Sequence, residues 1–182
     1  YNLIEGDNVF FLPDSGKNLE RSNYKASLMV QRTSAVGKII EGGPGMKIIV
    51  TYPAALEEGI PDTLSIKNSV LKLSVGEEIS REDLVSSLFD NGFERVDFVS
   101  EPGQFAVRGA IVDIFSYSYN DPFRISFFGD EIDSINVFDC NSQLSKENSD
   151  SVDIYPDIAS DGDEEHNVSI CSILPEDTLI WL

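Results

Sequence analysis

Arg108 and Arg124 are the residues best suited to chemistry with a partner, because each stands in a β-patterned segment of a chain whose formal net charge is −19. A guanidinium is charged at any working pH and offers a planar fork of donors that takes a carboxylate at two points. Alternation along Phe105–Phe115 puts Ala106, Arg108, Ala110, Val112 and Ile114 on one face of a strand. Along Phe123–Phe128, Arg124, Ser126 and Phe128 share a face, while Phe123, Ile125 and Phe127 share the one that meets the core. If the two segments pair with like faces aligned, Arg108, Arg124 and Phe128 form one patch, the mixture of arginine and aromatic side chains that anchors protein interfaces. On the residues alone, a structural salt bridge to the abundant local carboxylates is the competing role.

The remaining reactive residues point away from catalysis. Gly129-Asp-Glu131 suggests an acidic pair that could divide acid and base roles or hold a metal. Neighbouring strand residues face opposite ways, however, and no histidine accompanies them, so a turn between strands is expected. Glu41-Gly-Gly-Pro-Gly-Met-Lys47 looks like a phosphate loop. It lacks the Gly-Lys-Ser/Thr ending, and an apolar strand follows where a helix would have to aim its first amides, so it is expected as a surface turn. Asp161-Gly-Asp-Glu-Glu-His166 could attract a divalent cation, but it misses the calcium-loop spacing and suits a solvated acidic loop. His166 is the single histidine, which leaves no credible Ser-His-Asp or Cys-His site. Cys140 and Cys171 lack Cys-x-x-Cys spacing and the partners for a metal cage or disulfide scaffold. Asn167-Val-Ser169 matches a glycosylation acceptor without a secretory context. No cofactor, metal or catalytic residue is expected; a metal-dependent hydrolase built on the acidic clusters is the alternative from a different class.

Charge is distributed unevenly. Residues 1–70 carry 8 acidic and 7 basic groups, whereas residues 71–182 carry 24 acidic and 6 basic. Such a second part repels a duplex, so strong direct DNA binding is not expected. The 41% hydrophobic content of 182 residues supports one substantial core, or one core and a smaller satellite. No basic-plus-apolar signal segment opens the chain, and no run of about 18 apolar residues could span a bilayer. A soluble protein of the reducing cytoplasm is expected, with no membrane partner. The absence of an initial Met and the final apolar run Thr178-Leu-Ile-Trp-Leu182 suggest a piece of a longer protein.

The elements that must position the arginines follow from the pattern. Asn8–Pro13 is expected as a buried strand, Ser22–Ile40 as a helix with Leu28, Ala35, Val36, Ile39 and Ile40 inward, Lys47–Tyr52 as a strand, and Pro53–Glu58 as a short helix. This alternation argues for an α/β layer. Composition changes near Val75-Gly76. Ser80-Arg-Glu-Asp83 then starts a helix that buries Leu84, Val85, Leu88 and Phe89 and ends at Asn91-Gly92. Strands are expected at Arg95–Val99, Phe105–Phe115, Phe123–Phe128 and Ile132–Phe138, giving a small α+β module with a mostly antiparallel sheet. Residues 141–166 suit a polar connector, and Asp177–Leu182 suits a returning apolar strand.

The ordered words Pro-Gly-x-Phe-x-Val-Arg-Gly (102–109), Asp-Ile-Phe (113–115) and Arg-Ile-x-Phe-Phe-Gly-Asp-Glu-Ile-x-x-Ile (124–135) resemble the UvrB-homology region of the bacterial transcription-repair coupling factor family, Mfd. The likeness is strongest over Leu84–Asp139 and continues more weakly over Val9–Tyr52. It implies that residues 74–157 form a UvrA-docking module inserted into a degenerate P-loop-like α/β domain, with residues 1–73 before it and 158–182, an acidic connector and return strand, after it. It also implies that Arg108, Arg124 and Phe128 contact UvrA, and that a C-terminal domain of the full-length protein covers this surface until polymerase is engaged. Contacts with RNA polymerase and DNA, and the ATP-driven motor, would lie in regions absent here, so the piece itself would have no ATPase activity. Gln104 stands where the family usually has Glu, Ser116 where Pro is usual, and Cys140 where Pro is common. A fragment of UvrB itself is the nearest alternative, but Phe105-Ala-Val-Arg-Gly and Phe127-Phe-Gly-Asp-Glu are more like Mfd.

Overall fold

A computed structural model describes residues 8–16, 23–43, 45–158 and 167–180. Its contacts divide the chain into two units, Tyr1–Lys67 with Ile158–Leu182, and Asn68–Asp157.

In the first unit, β1 (Val9–Phe11) and β2 (Ile48–Val50) pair in parallel, joined through α1 (Asn23–Glu41) as a parallel connection requires. Of the inward stripe expected for this helix, Leu28, Ala35, Val36 and Ile39 are buried and Ile40 is half-buried. β1 is not the buried strand expected, since Val9 and Phe11 are exposed. Among the described residues β1 and β2 pair only with each other, so an apolar run that would suit a sheet interior lies partly in solvent. The turn after α1 is not a phosphate loop: β2 follows it, and the Lys47 ammonium donates to the carbonyls of Lys38 (2.8 Å) and Gly42, closing the carbonyl end of the helix. Beyond β2 come α2 (Pro53–Glu57), β3 (Gly59–Pro61) and α3 (Thr63–Ser69). β3 pairs antiparallel with β12 (Asn167–Ser169), and a 3₁₀ turn over Ile170–Ile173 buries Ile170. No strand forms over 177–180; residues 181–182, and the acidic loop at 161–166, lie outside the described residues.

The second unit is built on β4 (Leu71–Ser74), α4 (Arg81–Asp90) and a sheet of six strands. Ser80 caps α4 as expected, its hydroxyl accepting from the Asp83 N–H at 3.1 Å, and the helix stops at Asn91. Its Leu84 and Leu88 press on one face of the sheet, which runs in the order β10-β9-β8-β7-β6-β5. The strands are β5 (Glu94–Arg95), β6 (Gln104–Arg108), β7 (Ile111–Ile114), β8 (Phe123–Phe128), β9 (Glu131–Phe138) and β10 (Ser145–Ser149). Every pairing is antiparallel except β5 with β6. β11 (Ser151–Ile154) pairs with β4 and adds Val152 and Ile154 to the same core.

Four expectations for this unit need correction. Phe89, expected on the buried stripe of α4, is 52% exposed and keeps an edge-to-face contact with the Phe105 ring. Phe105–Phe115 is not one strand but a hairpin, because Gly109 takes φ +61° and starts a two-residue turn closed by the Arg108–Ile111 pair. Val112 and Ile114 therefore face the core, opposite Val107 and Phe105, and do not share the face of Arg108. The strand expected over Arg95–Val99 ends after Arg95, because Val96 and Val99 turn onto a small cluster of Ala106, Phe115 and Phe138 on the outer sheet face. Residues 145–154, expected as connector, form β10 and β11. β10 is an edge strand held by backbone pairing, so its polar sequence carries no apolar alternation to mark it.

Candidate functional site

The outer face of the six-stranded sheet carries the site. Register places Asp113 on β7 directly opposite both Ala106 on β6 and Arg124 on β8, and puts Arg108 at the end of β6 beside the turn. The Asp113 carboxylate is 1% exposed and receives both arginines. Arg124 grips it as a fork, Nε to Oδ1 at 2.7 Å and Nη2 to Oδ2 at 3.0 Å. Arg108 adds a contact from Nη2 to the same Oδ2. Two cations on one buried carboxylate leave a surplus positive charge in a unit whose residues 68–157 hold 18 acidic and 6 basic groups.

The two arginines differ in how firmly they are held. Arg124, 20% exposed, also donates from Nη2 to Gln143 Oε1 at 3.1 Å, and its guanidinium lies 4.3 Å from the centre of the Phe138 ring. The hydrogen bonds to Asp113, before any other influence, raise its pKa further. Gln143, in turn, stands at φ +59° in a loop fastened by Asp139, whose Oδ1 accepts from Ser142 N at 2.8 Å, Ser142 Oγ at 2.9 Å and Asn141 N at 3.2 Å. Those backbone and hydroxyl donors of Ser142 hold the Asp139 carboxyl below its ordinary pKa. Arg108 is 35% exposed and is held by Asp113 and the Phe98 ring, whose centre is 5.1 Å from the guanidinium carbon.

Other residues fix the frame. The Arg81 guanidinium donates to the Gly109 carbonyl, tying the hairpin turn to the first turn of α4. Gln104 Oε1 accepts from Ser100 N at 2.8 Å and Glu101 N at 3.1 Å, a role that needs only an acceptor oxygen, which Gln supplies as Glu would. Ser116, fully buried, accepts from Tyr155 N at 2.9 Å and so ties the end of the hairpin to the chain leaving β11.

Of the three residues singled out from the sequence, Arg108 and Arg124 are brought together on Asp113. Phe128 lies four residues beyond Arg124 on the same face of β8, at the turn into β9, and is 81% exposed. Asp130 and Glu131 belong to that turn and strand start, with Phe128 paired to Glu131. Sequence reasoning missed Asp113, Phe98 and Gln143. Asp113 alone had a readable signal, as a carboxylate inside an apolar strand, which survives burial only when paired. Among the described residues no group of three or more His, Cys, Asp or Glu could hold a metal ion, and no helix is long and apolar enough to cross a membrane.

Residues 71–159 match the family model of the UvrB interaction domain. The chain is 36% identical over 156 residues, 85% of its length, to a transcription-repair-coupling factor of Bacillus subtilis strain 168. It is 34% identical over 135 residues, 74% of its length, to one of Staphylococcus aureus strain bovine RF122 / ET3-1. It spans only 13% and 11% of the lengths of those two relatives. Residues 71–159 thus belong to the UvrB interaction domain family, in a chain whose relatives are transcription-repair-coupling factors.

Proposed function

We propose that this chain is the part of a transcription-repair-coupling factor that recruits UvrA, presenting to it the outer sheet face of the unit Asn68–Asp157. One observation carries the reading: Arg108 and Arg124 converge on the single buried carboxylate of Asp113, leaving a net positive, partly exposed pair on an otherwise acidic unit. Phe128 extends the face with a ring that has no burial to gain within the unit. Arginine and aromatic side chains in this arrangement are what interface anchors are made of. The first unit, with its parallel β1-α1-β2 crossover, is in this reading a portion of a P-loop-like α/β domain into which the docking module is inserted. The chain performs no reaction itself; motor activity and contacts with RNA polymerase and DNA belong to other regions of the longer protein. There a C-terminal domain covers the docking face until polymerase is engaged.

The test is calorimetric titration of UvrA into the 182-residue chain and into its Arg108→Ala and Phe128→Ala variants, with circular dichroism confirming that each is folded. Binding by the parent, weakened by both substitutions, supports docking. A folded parent that does not bind UvrA removes the reading.

A further inference from the structure

Gln143 is the one non-glycine residue at positive φ among the described residues, and its side chain is engaged at both ends. The amide nitrogen Nε2 donates to the Cys140 carbonyl at 2.8 Å, which leaves Oε1 to accept from Arg124 Nη2 at 3.1 Å. The backbone carbonyl of Gln143 accepts from Arg124 Nη1 at 3.4 Å. The five N–H groups of Arg124 are thereby shared out. Nε and one hydrogen of Nη2 serve Asp113, while the second hydrogen of Nη2 and one of Nη1 serve Gln143. Among the described residues, the last Nη1 hydrogen has no acceptor.

Fold stability does not explain a glutamine at this position. The strain of a left-handed backbone on a residue with a Cβ is of the same order as the net gain from one hydrogen bond, and a glycine would take the same backbone without strain. The loop sustains the strained residue: the Asp139 carbonyl accepts from Gln143 N at 2.8 Å, and Asp139 N donates to the Leu144 carbonyl at 3.0 Å. Strain held in this way by its surroundings is a mark of functional positions. The charge of the acceptor matters as much as its place. Arg108 and Arg124 share one carboxylate, so their cluster carries one surplus positive charge. A second carboxylate beside Arg124 would cancel that surplus, whereas the neutral oxygens of Gln143 orient the guanidinium and leave its charge to a partner.

We infer that Gln143 is a positioning residue for UvrA docking: it fixes the Arg124 guanidinium on the outer sheet face with two neutral acceptors, so that Arg124 meets the partner already ordered and with its charge intact. Ordering a long side chain in advance removes a cost that would otherwise fall on binding. The inference rests on the docking reading and adds to it a residue that acts through Arg124.

The experiment is titration of UvrA into the full 182-residue chain and into its Gln143→Gly and Gln143→Glu variants at low and at high salt, each melted in parallel. Gln143→Gly relieves the strain and removes the side-chain acceptor. It is expected to melt within a few degrees of the parent and to bind about three- to tenfold more weakly at both salt concentrations. Gln143→Glu keeps the acceptor but adds a charge. It is expected to melt no lower than the parent and to bind at least about tenfold more weakly at low salt, with the deficit narrowing as salt screens that charge. Parental affinity in either variant overturns this assignment while leaving UvrA docking intact. A Gln143→Gly protein that melts well below the parent overturns it as well, because the residue then serves the fold. A folded parent that fails to bind overturns the docking reading and this assignment with it.

Discussion

Arg124 on β8 and Asp113 on β7 are direct cross-strand neighbours and form a two-point pair on the outer sheet face, with the carboxylate out of solvent. Removing one member of a buried pair costs about 3–5 kcal/mol because the other charge is left uncompensated. Here Arg108 remains to offset part of that. Arg124→Ala is therefore expected to destabilise the unit by about 2–3 kcal/mol, visible as a lower urea midpoint. Arg108→Ala, which leaves the fork whole, should cost less than about 1 kcal/mol. Equal losses would mean that the two arginines share the carboxylate evenly.

Phe128 gives the opposite dissociation. Its ring is 81% exposed, so Phe128→Ser should leave stability within about 0.5 kcal/mol of the parent, as surface changes do. If Phe128 anchors UvrA, the same variant should bind at least about 30-fold more weakly, the equivalent of about 2 kcal/mol. Unchanged affinity in titration would take Phe128 out of the surface.

Two glycines separate backbone strain from steric conflict. Gly109 has φ +61° but open space where a Cβ would go, so Gly109→Ala should cost about 1 kcal/mol, the strain of a left-handed alanine. Gly103 has φ +85°, and a Cβ there would collide with the ring and phenolic oxygen of Tyr117. Gly103→Ala should therefore cost about 2–4 kcal/mol, adding overpacking to the strain. Melting curves of the two variants should differ by several degrees, with Gly103→Ala lower.

The elements legible in the sequence were those whose local chemistry and burial agree. Ser80 with Asp83 marks the start of α4, and the alternation of Phe123, Ile125 and Phe127 marks β8 over its full length. The β6-β7 hairpin was hidden because every residue around Gly109 is β-compatible, and only the backbone dihedral shows that the chain reverses there. Reading through that turn gave Arg108 the wrong neighbours on its face. Arg32 was not legible as buried either, for a related reason. It sits at a helical position between apolar residues yet is fully buried, donating to the carbonyls of Pro13 at 2.7 Å and Ala55 at 3.2 Å, and those partners are 19 and 23 residues away in sequence. Asp113 belongs to the same class, since its partner Arg124 is supplied by sheet register rather than by spacing along one strand.

Asp139 ties the outer sheet face to pH. Its carboxylate accepts the Ser142 and Asn141 donors that shape the loop presenting Gln143 to Arg124, and those hydrogen bonds hold its pKa below the ordinary value. A carboxyl depressed in the folded state stabilises that state above its unfolded pKa of about 3.9, and the contribution disappears as pH falls through the lower folded value. Asp139→Ala should therefore be less stable than the parent at pH 7. The difference should be constant down to about pH 5 and should close as acid protonates the parent's carboxyl, because both proteins then lack the acceptor. Urea midpoints measured from pH 7 to pH 2 would trace this convergence. A difference that persisted undiminished at pH 2 would mean that Asp139 holds the Gln143 loop by something other than its charge.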